Sequence, residues 1–393
     1  MADTPQATPL QINTLLPPHS LTGKLFFYAD LNPNQDAVVT PTSTLNYLQL
    51  AQLVRAQAKA FNQAGFSENA VIGIKCANDV QHLVLCLAAI HLGLTSGTIP
   101  TYENDQMQNA IIDSCGITHI ADEEIAVDLS SIPTSFEPTE TKVIPGKVGT
   151  TDSKARLLFS TSGTTGEPKL VVHYDTDIVE QAHRHIESPL ERFACLATME
   201  HNFAKRHRLY CIAAGATNIF LSPDRESLVN HALSMSMNVL HVSAFQAQEL
   251  LTAQDINKLS SIRLKLGGSH VPLALRQQLR DTITQNLQAG YGTTETGAIA
   301  FTHLDDLEAG ESVGQPLPGI EVRAVTPERK PLGIGEHGEL AIRCEGMFHG
   351  YLGKPKLTAT RLDNGWFYTG DIGYLDKKQR IHLCGRFDDM FVF

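Results

Sequence analysis

Residues Ser160-Thr161-Ser162-Gly163-Thr164-Thr165-Gly166-Glu167-Pro168-Lys169 crowd hydroxyls, two glycines and a lysine between two apolar runs, Arg156–Phe159 and Leu170–His173. Glycines let successive backbone N–H groups curl around an anion, hydroxyls add donors, and the lysine adds a flexible positive charge. That is chemistry for gripping a polyphosphate. The spacing differs from the Walker loop, in which four residues separate the glycines and Lys-Ser/Thr follows at once. A surface turn rich in Gly, Ser and Thr is the alternative reading of this stretch by itself. A second cluster, Tyr291-Gly292-Thr293-Thr294-Glu295-Thr296, combines an aromatic face for a nucleobase, hydroxyls for phosphate and a carboxylate for Mg2+. Tyr368-Thr369-Gly370-Asp371 and Gly385-Arg386-Phe387-Asp388-Asp389 are a third and a fourth. An aspartate there could accept both hydroxyls of a ribose. Taken singly, each cluster also fits a strand end followed by a turn.

Elements able to position these groups alternate along the chain. Tyr47–Asn62 is an amphipathic helix stopping at Gly65, Val71–Lys75 a strand, Val80–His91 a buried helix and Ile117–Ala121 a strand. After the glycine-rich loop, helices are expected at Asp177–Glu187, Lys205–Ala213, Phe245–Thr252 and Leu273–Asn286. Ala194–Ala197, Thr217–Leu221, Val239–Val242 and Ile262–Leu266 read as the strands among them. This alternation predicts an α/β fold with doubly wound, mostly parallel sheets flanked by helices, whose ligands gather at the carboxyl ends of the strands. Ser131–Lys154, rich in Pro, Thr, Ser and Glu, reads as an exposed connector between two α/β subdomains, 1–150 and 151–310. Beyond them, short strands such as Gly319–Val325 and Gly338–Arg343 suggest a small β-barrel over 311–385.

At 393 residues the chain exceeds what one hydrophobic core serves, and 42% hydrophobic with 19% charged residues describes a globular protein. A net charge of −11 argues against a nucleic-acid-binding surface. The start, Met-Ala-Asp-Thr-Pro-Gln, lacks signal-peptide features. The longest apolar run, Leu83–Leu94, is broken by His91 and Gly93, so no membrane insertion is expected. Seven dispersed cysteines without C-x-x-C spacing suggest reduced thiols and a cytoplasmic location. Among sixteen histidines only His183 and His185 sit two apart, which offers no zinc-ligand set.

The order and spacing of the motifs resemble the adenylate-forming superfamily of acyl-CoA synthetases, adenylation domains and firefly-type luciferases. The resemblance rests on Ser160–Lys169, Tyr291–Thr296, Gly338-Glu339-Leu340 with Gly350-Tyr351, Tyr368–Asp371 and Gly385–Asp388. It implies that the chain is the family's large N-terminal domain, 1–385, followed by the start of a hinge at 386–393 with Asp388 as the hinge residue. It implies further that Thr161, Ser162, Gly163, Thr164, Thr165, Gly166 and Lys169 hold the β- and γ-phosphates of ATP. Tyr291 would stack on adenine, with Gly268 and Ser269 lining the base and Gly292 beside it. Thr294 would bind the α-phosphate, Glu295 would coordinate Mg2+, and Asp371 would take the ribose hydroxyls with Arg386 close by. Lys169, Thr294 and Glu295 are the implied catalytic residues. The implied reaction is attack of a carboxylate on the α-phosphorus of ATP, giving acyl-AMP and pyrophosphate, followed by transfer to a thiol. Charge neutralisation and alignment dominate such a step.

Two departures qualify the resemblance. The family's small C-terminal domain, with the lysine that bridges carboxylate and α-phosphate, does not follow Asp388, and the apolar Phe391-Val392-Phe393 end suggests a truncation with impaired turnover. The acyl pocket, expected at His201, Phe203, His207, Val242, Ser243, Phe245 and Gly267, carries Lys205, Arg206 and Arg208 in its helix. Those cations are read as facing solvent or a subdomain interface, because long cations are rarely fully buried. The pocket then suits a short, polar or aromatic acid. Met199-Glu200-His201-Asn202-Phe203 lacks the Phe-Asp pair of amino-acid adenylation domains, although Glu200 keeps an amino-acid substrate open. CoA is the expected thiol acceptor. The phosphopantetheine arm of an acyl-carrier protein is the close alternative, and a non-catalytic nucleotide-binding module is the alternative of another class.

Overall fold

The computed structural model describes residues 18–129, 155–161, 169–222, 225–302 and 310–387. In chain order these form α1 (Leu21–Leu31), β1 (Asp36–Val39), β2 (Thr44–Asn46), α2 (Tyr47–Gln63), β3 (Val71–Ile74), α3 (Asp79–His91), β4 (Thr95–Thr98), α4 (Asp105–Cys115) and β5 (His119–Ala121). The hairpin β6 (Arg156–Thr161) and β7 (Lys169–Tyr174) leads to α5 (Asp175–Ala182), β8 (Arg192–Cys195), α6 (Asn202–Ala214) and β9 (Thr217–Ile219). Next come α7 (Arg225–Ser234), β10 (Val239–Val242), α8 (Ala244–Leu250), β11 (Arg263–Leu266) and α9 (Leu273–Thr282). The last elements are β12 (Leu287–Thr293), β13 (Gly297–Phe301), β14 (Gln315–Pro316), β15 (Glu321–Val325), β16 (Gly338–Arg343), α10 (Pro355–Arg361), β17 (Leu362–Asp363), β18 (Trp366–Leu375) and β19 (Ile381–Arg386).

Three sheets result. A nine-stranded sheet runs β14-β13-β12-β11-β10-β8-β9-β1-β2, parallel from β12 to β1 and antiparallel at both edges. A five-stranded sheet runs β5-β3-β4-β6-β7, with only β6–β7 antiparallel. The third is antiparallel throughout and joins β15-β16-β18-β17 with β19 on β18. Two helix-flanked, mostly parallel sheets and one smaller antiparallel sheet are the architecture expected from the alternation of elements. The strands do not divide at residue 150, however. β6 and β7 complete the sheet begun at β3, while β1 and β2 extend the edge of the nine-stranded sheet. The expected connector, Ser131–Lys154, lies outside the described residues.

Local chemistry explains the elements. Asn46 caps α2 by accepting from Gln49 N at 2.8 Å, and the Gln49 side chain accepts from Asn46 N at 2.9 Å, a reciprocal capping box. Leu50, Leu53, Val54 and Phe61 then bury one stripe of that helix. The helix expected over Asp177–Glu187 begins earlier and stops at Ala182, and that expected over Leu273–Asn286 stops at Thr282. α6 begins at Asn202, ahead of its expected start, and is buried from Ala204 to Ala213. All seven cysteines are free and five of them are buried.

Candidate active site

The strands on either side of the glycine-rich loop, β6 and β7, pair antiparallel with Thr161 opposite Lys169. Ser162, Gly163, Thr164, Thr165 and Gly166 lie outside the described residues. The loop is tied to α6 at its base: the Asn202 side chain donates to the Ser160 carbonyl. The opposite edge of β7 receives residues 349–352, through His349 N to Val172 O at 2.9 Å, Val172 N to Gly350 O at 3.0 Å and Leu352 N to Leu170 O at 2.9 Å. This pairing carries Tyr351 to the turn between β12 and β13, where its phenol donates to Glu295 Oε1 at 2.7 Å. Phe348 N donates to the Glu295 carbonyl at 2.8 Å and holds the same turn from the backbone side.

That turn is held from below as well. The Thr294 carbonyl accepts from the Arg206 guanidinium at 2.6 Å and from His173 Nε2 at 2.8 Å, and the Thr293 carbonyl accepts from Arg206 at 3.3 Å. Thr296 N donates to Thr293 Oγ1 at 3.2 Å. Gly292 is required where the hairpin closes, since a Cβ there would stand 2.5 Å from the Gly297 carbonyl oxygen. One residue before Gly292 on β12, Tyr291 donates its hydroxyl to Asp371 Oδ2 at 2.6 Å, and Arg386 donates to Asp371 Oδ1 at 2.8 Å across the β18–β19 pair. Burial and then the Asp371 carboxylate push the Tyr291 phenol well up, so it stays a donor. Gly268 and Ser269 are exposed just past the carboxyl end of β11. Asp388 lies outside the described residues.

Lys205, Arg206 and Arg208 are 1%, 6% and 1% exposed, which overturns the solvent-facing reading but not the interface one, since Lys205 and Arg206 reach from α6 to the five-stranded sheet. Each finds partners other than a carboxylate, although Arg208 Nε is buried without a hydrogen bond. Lys205 Nζ donates to Thr98 Oγ1 at 2.9 Å, and both Lys205 and Arg206 lie over the Phe159 ring, at 5.0 and 4.6 Å. Arg208 donates to the carbonyls of Phe193, Cys195 and Ile219 at 3.3, 3.2 and 2.6 Å, and stacks on Phe220 at 4.1 Å. Backbone carbonyls at strand ends and aromatic faces replace the lost hydration.

Of the expected acid-pocket residues, Phe203 and His207 meet at 4.5 Å between ring centroids and both pack on His241 of β10, at 4.4 and 4.5 Å. Gly267 lies against the same His241. His201 starts α6, exposed and stacked at 5.2 Å on Tyr102. Val242 is buried and Ser243 caps α8, accepting from Gln246 N at 3.2 Å. Phe245 is 68% exposed, because Ala247 and Leu250 form the buried stripe of α8 and Phe245 lies off it. Glu200 is committed to the fold, accepting from Thr101 N at 2.6 Å. Arg206, His173 and His241 escaped sequence reasoning. For Arg206 the available signal was a row of cations inside an otherwise apolar helix.

Tyr351 fixes one oxygen of Glu295, and a single oriented carboxylate suits Mg2+, which takes most of its ligands from phosphate and water. No helix among the described residues is long and apolar enough to cross a membrane.

Comparison with known proteins agrees with this geometry. The Bacillus subtilis (strain 168) protein "Putative acyl--CoA ligase YdaB" is 26% identical over 91% of this chain and 77% of its own length. The Acinetobacter baumannii "Delta-poly-L-ornithine synthetase" is 27% identical over 91% of this chain but only 28% of its own. The chain thus spans less than a third of that second relative. The N-terminal subdomain of Klebsiella oxytoca NpsA, solved with 3-hydroxyanthranilyl-AMSN, superposes with a TM-score of 0.79 over 93% of this chain and 100% of that one, at 19% identity. The family described as "AMP-binding enzyme" matches residues 26–352, the span that holds the β6–β7 hairpin, the Tyr291–Glu295 turn and the segment that delivers Tyr351, and the chain belongs to that family.

Proposed function

We propose that the protein activates a carboxylic acid with ATP. A carboxylate oxygen of the acid bonds to the α-phosphorus, the bond to the bridging oxygen breaks, and pyrophosphate leaves. The acyl-AMP then passes its acyl group to a thiol, that of CoA or of a carrier's phosphopantetheine arm, with AMP departing. The observation that carries this reading is the Tyr291–Asp371–Arg386 cluster, whose Tyr291 lies on the same β-hairpin as the Tyr351-oriented Glu295. Each Asp371 oxygen has two lone pairs, so ribose hydroxyls can donate beside Tyr291 and Arg386. The Tyr291 ring would face adenine, with Gly268 and Ser269 along the base. Thr294 would donate to the α-phosphate, its carbonyl already fixed by Arg206 and His173. Thr161, Ser162, Gly163, Thr164, Thr165, Gly166 and Lys169 would hold the outer phosphates. Mg2+ arriving with ATP would be held by Glu295 and would neutralise phosphate charge.

The acid is proposed to be short and polar or aromatic, because Phe203, His207 and His241 fill the space beneath the expected pocket. Calorimetric titration of AMP and of ATP·Mg2+ tests the nucleotide site. Asp371→Ala is expected to weaken AMP by about tenfold or more, the loss of roughly 1.4 kcal/mol or more of ribose contact. Unchanged affinity would remove Asp371 from the site.

A further inference from the structure

Two stretches far apart in sequence meet at the carboxyl end of α5: the turn that follows Glu295, and the segment 344–349 that leads to Tyr351. Arg184, just past the last residue of α5, spans them. Its Nη1 donates to the carbonyls of Thr296 at 3.1 Å and Ala298 at 3.4 Å and to Cys344 Sγ at 3.4 Å, and its Nη2 donates to the Glu345 carbonyl at 2.7 Å. Gln181 lies beside it, accepting from the Tyr210 hydroxyl at 2.6 Å and donating to the Gly346 carbonyl at 2.6 Å. Farther along the same segment, His349 Nε2 pairs with Asp177 Oδ2 at 3.1 Å. Each stretch carries a left-handed glycine where it meets α5. Gly297 has φ +73°, and a Cβ there would stand 3.0 Å from Gln181 Oε1. Gly346 has φ +68°, and a Cβ there would stand 3.0 Å from the Asp177 carbonyl and 3.5 Å from Arg184 Nη2.

Glu295 directly precedes the first stretch and Tyr351 follows the second, so the bond between Tyr351 and Glu295 depends on how far apart the two are held. A guanidinium presents five N–H donors in one rigid plane and can fix two chain stretches in a single geometry, which a flexible ammonium does poorly. We infer that Arg184 is a positioning residue for metal-bound nucleotide. It sets the separation of the Glu295 turn from the Tyr351 segment, and through it the direction in which the Glu295 carboxylate meets Mg2+ on ATP. This rests on the adenylation reading of the same site. The Tyr291–Asp371–Arg386 cluster is fixed separately, across the β18–β19 pair. Loss of Arg184 should therefore be felt at the metal end of the site and not at the ribose end. General loosening of the fold would weaken both ends alike, so this split distinguishes positioning from a purely structural role.

The test measures by calorimetry the affinity for AMP, for ATP with excess Mg2+ and for ATP with a chelator; the ratio of the last two is the gain from magnesium. Arg184→Met and Arg184→Lys are compared with the wild type, alone and combined with Glu295→Ala. The wild type is expected to gain about tenfold or more, the scale of one charge-assisted contact. Arg184→Met should cut that gain by about fivefold or more while changing AMP affinity by less than about twofold, since the carboxylate loses its alignment and the ribose contacts stay. Arg184→Lys keeps the charge but not the planar fork. It should also lose most of the gain, and it serves as the working variant should the methionine protein not fold. In the Glu295→Ala background either substitution should alter the remaining gain by less than about twofold, because Arg184 acts through Glu295. A gain that survives in the folded variant, an equal loss for AMP, or a further loss beyond Glu295→Ala overturns the assignment while the adenylation reading stands. A wild type that binds AMP without any magnesium gain overturns the metal role of Glu295, and failure to bind AMP at all overturns the adenylation reading; either outcome takes this inference with it.

Discussion

Lowering the pH from 7.5 to 5 should destabilise the protein steeply, because its core holds several histidines that cannot accept a proton in place. His82 is enclosed in α3 and held down to about 3 by burial and then Lys205. His207 is held at about 3 by burial first, with Lys265, Arg206 and Arg208 adding to the effect. An unfolded histidine titrates near 6.5. Below that pH the unfolded chain binds protons that the folded chain refuses, so these groups contribute stability that is complete above 6.5 and lost as pH falls toward 3. At pH 5 each costs about 2 kcal/mol, and the two together about 4 kcal/mol, against the roughly 5–15 kcal/mol of a typical protein. His173, His185 and His241, also lowered chiefly by burial, act in the same direction. Asp79 and Glu191, whose carboxyls burial raises, oppose the slope and soften it. Differential scanning calorimetry at pH 7.5, 6.5, 5.5 and 5.0, repeated in buffers of different ionisation enthalpy, reads both the fall in melting temperature and the protons taken up on unfolding. A melting temperature flat between pH 7.5 and 5, or unfolding without proton uptake at pH 5.5, would refute the reasoning.

Arg206→Met should cost about 2–3 kcal/mol, from a charge-assisted hydrogen bond to Thr294 and a ring contact with Phe159, offset in part because no unpaired charge remains. It should also weaken ATP·Mg2+ by about tenfold or more through displacement of the Thr294–Glu295 turn; unchanged melting and unchanged titration together would contradict the positioning role. Tyr351→Phe frees Glu295 Oε1 and should weaken ATP·Mg2+ by several-fold, roughly one hydrogen bond, while leaving magnesium-free AMP binding nearly constant. Equal loss for both nucleotides would show that Tyr351 acts on the fold rather than on Glu295.

Much of the architecture was legible because alternation of apolar strands with helices is a local signal. Val239–Val242 reads as a strand from its own residues, and the structure makes it β10. The Tyr291–Asp371 pairing spans 80 residues and was legible only through the order of motifs, not from either residue. The fate of Lys205, Arg206 and Arg208 was not legible. Their partners are main-chain carbonyls on β8 and β9 and at the end of β12, the Thr98 hydroxyl and the Phe159 ring, and a carbonyl at a strand end carries no mark in the sequence. The exposure of Phe245 was not legible for a related reason: which face of a short helix is buried depends on the sheet beneath it. His241 stands alone in the apolar run Val-Leu-His-Val, so nothing in its neighbours announced the cluster. The β6–β7 register was hidden in the same way, because two apolar runs around a glycine-rich loop do not reveal their relative direction.

Acid-dependent exchange of pyrophosphate into ATP tests the central claim most directly. It is run on the protein with any domain that follows residue 393 in the natural chain, over a panel of short, hydroxylated and aromatic acids, beside Glu295→Ala. The account predicts exchange well above the acid-free background for at least one acid, reduced by about a hundredfold or more in the variant, the scale of losing one charge-stabilising group in a transition state. Binding of AMP with no exchange for any acid, or exchange that Glu295→Ala leaves intact, would contradict it.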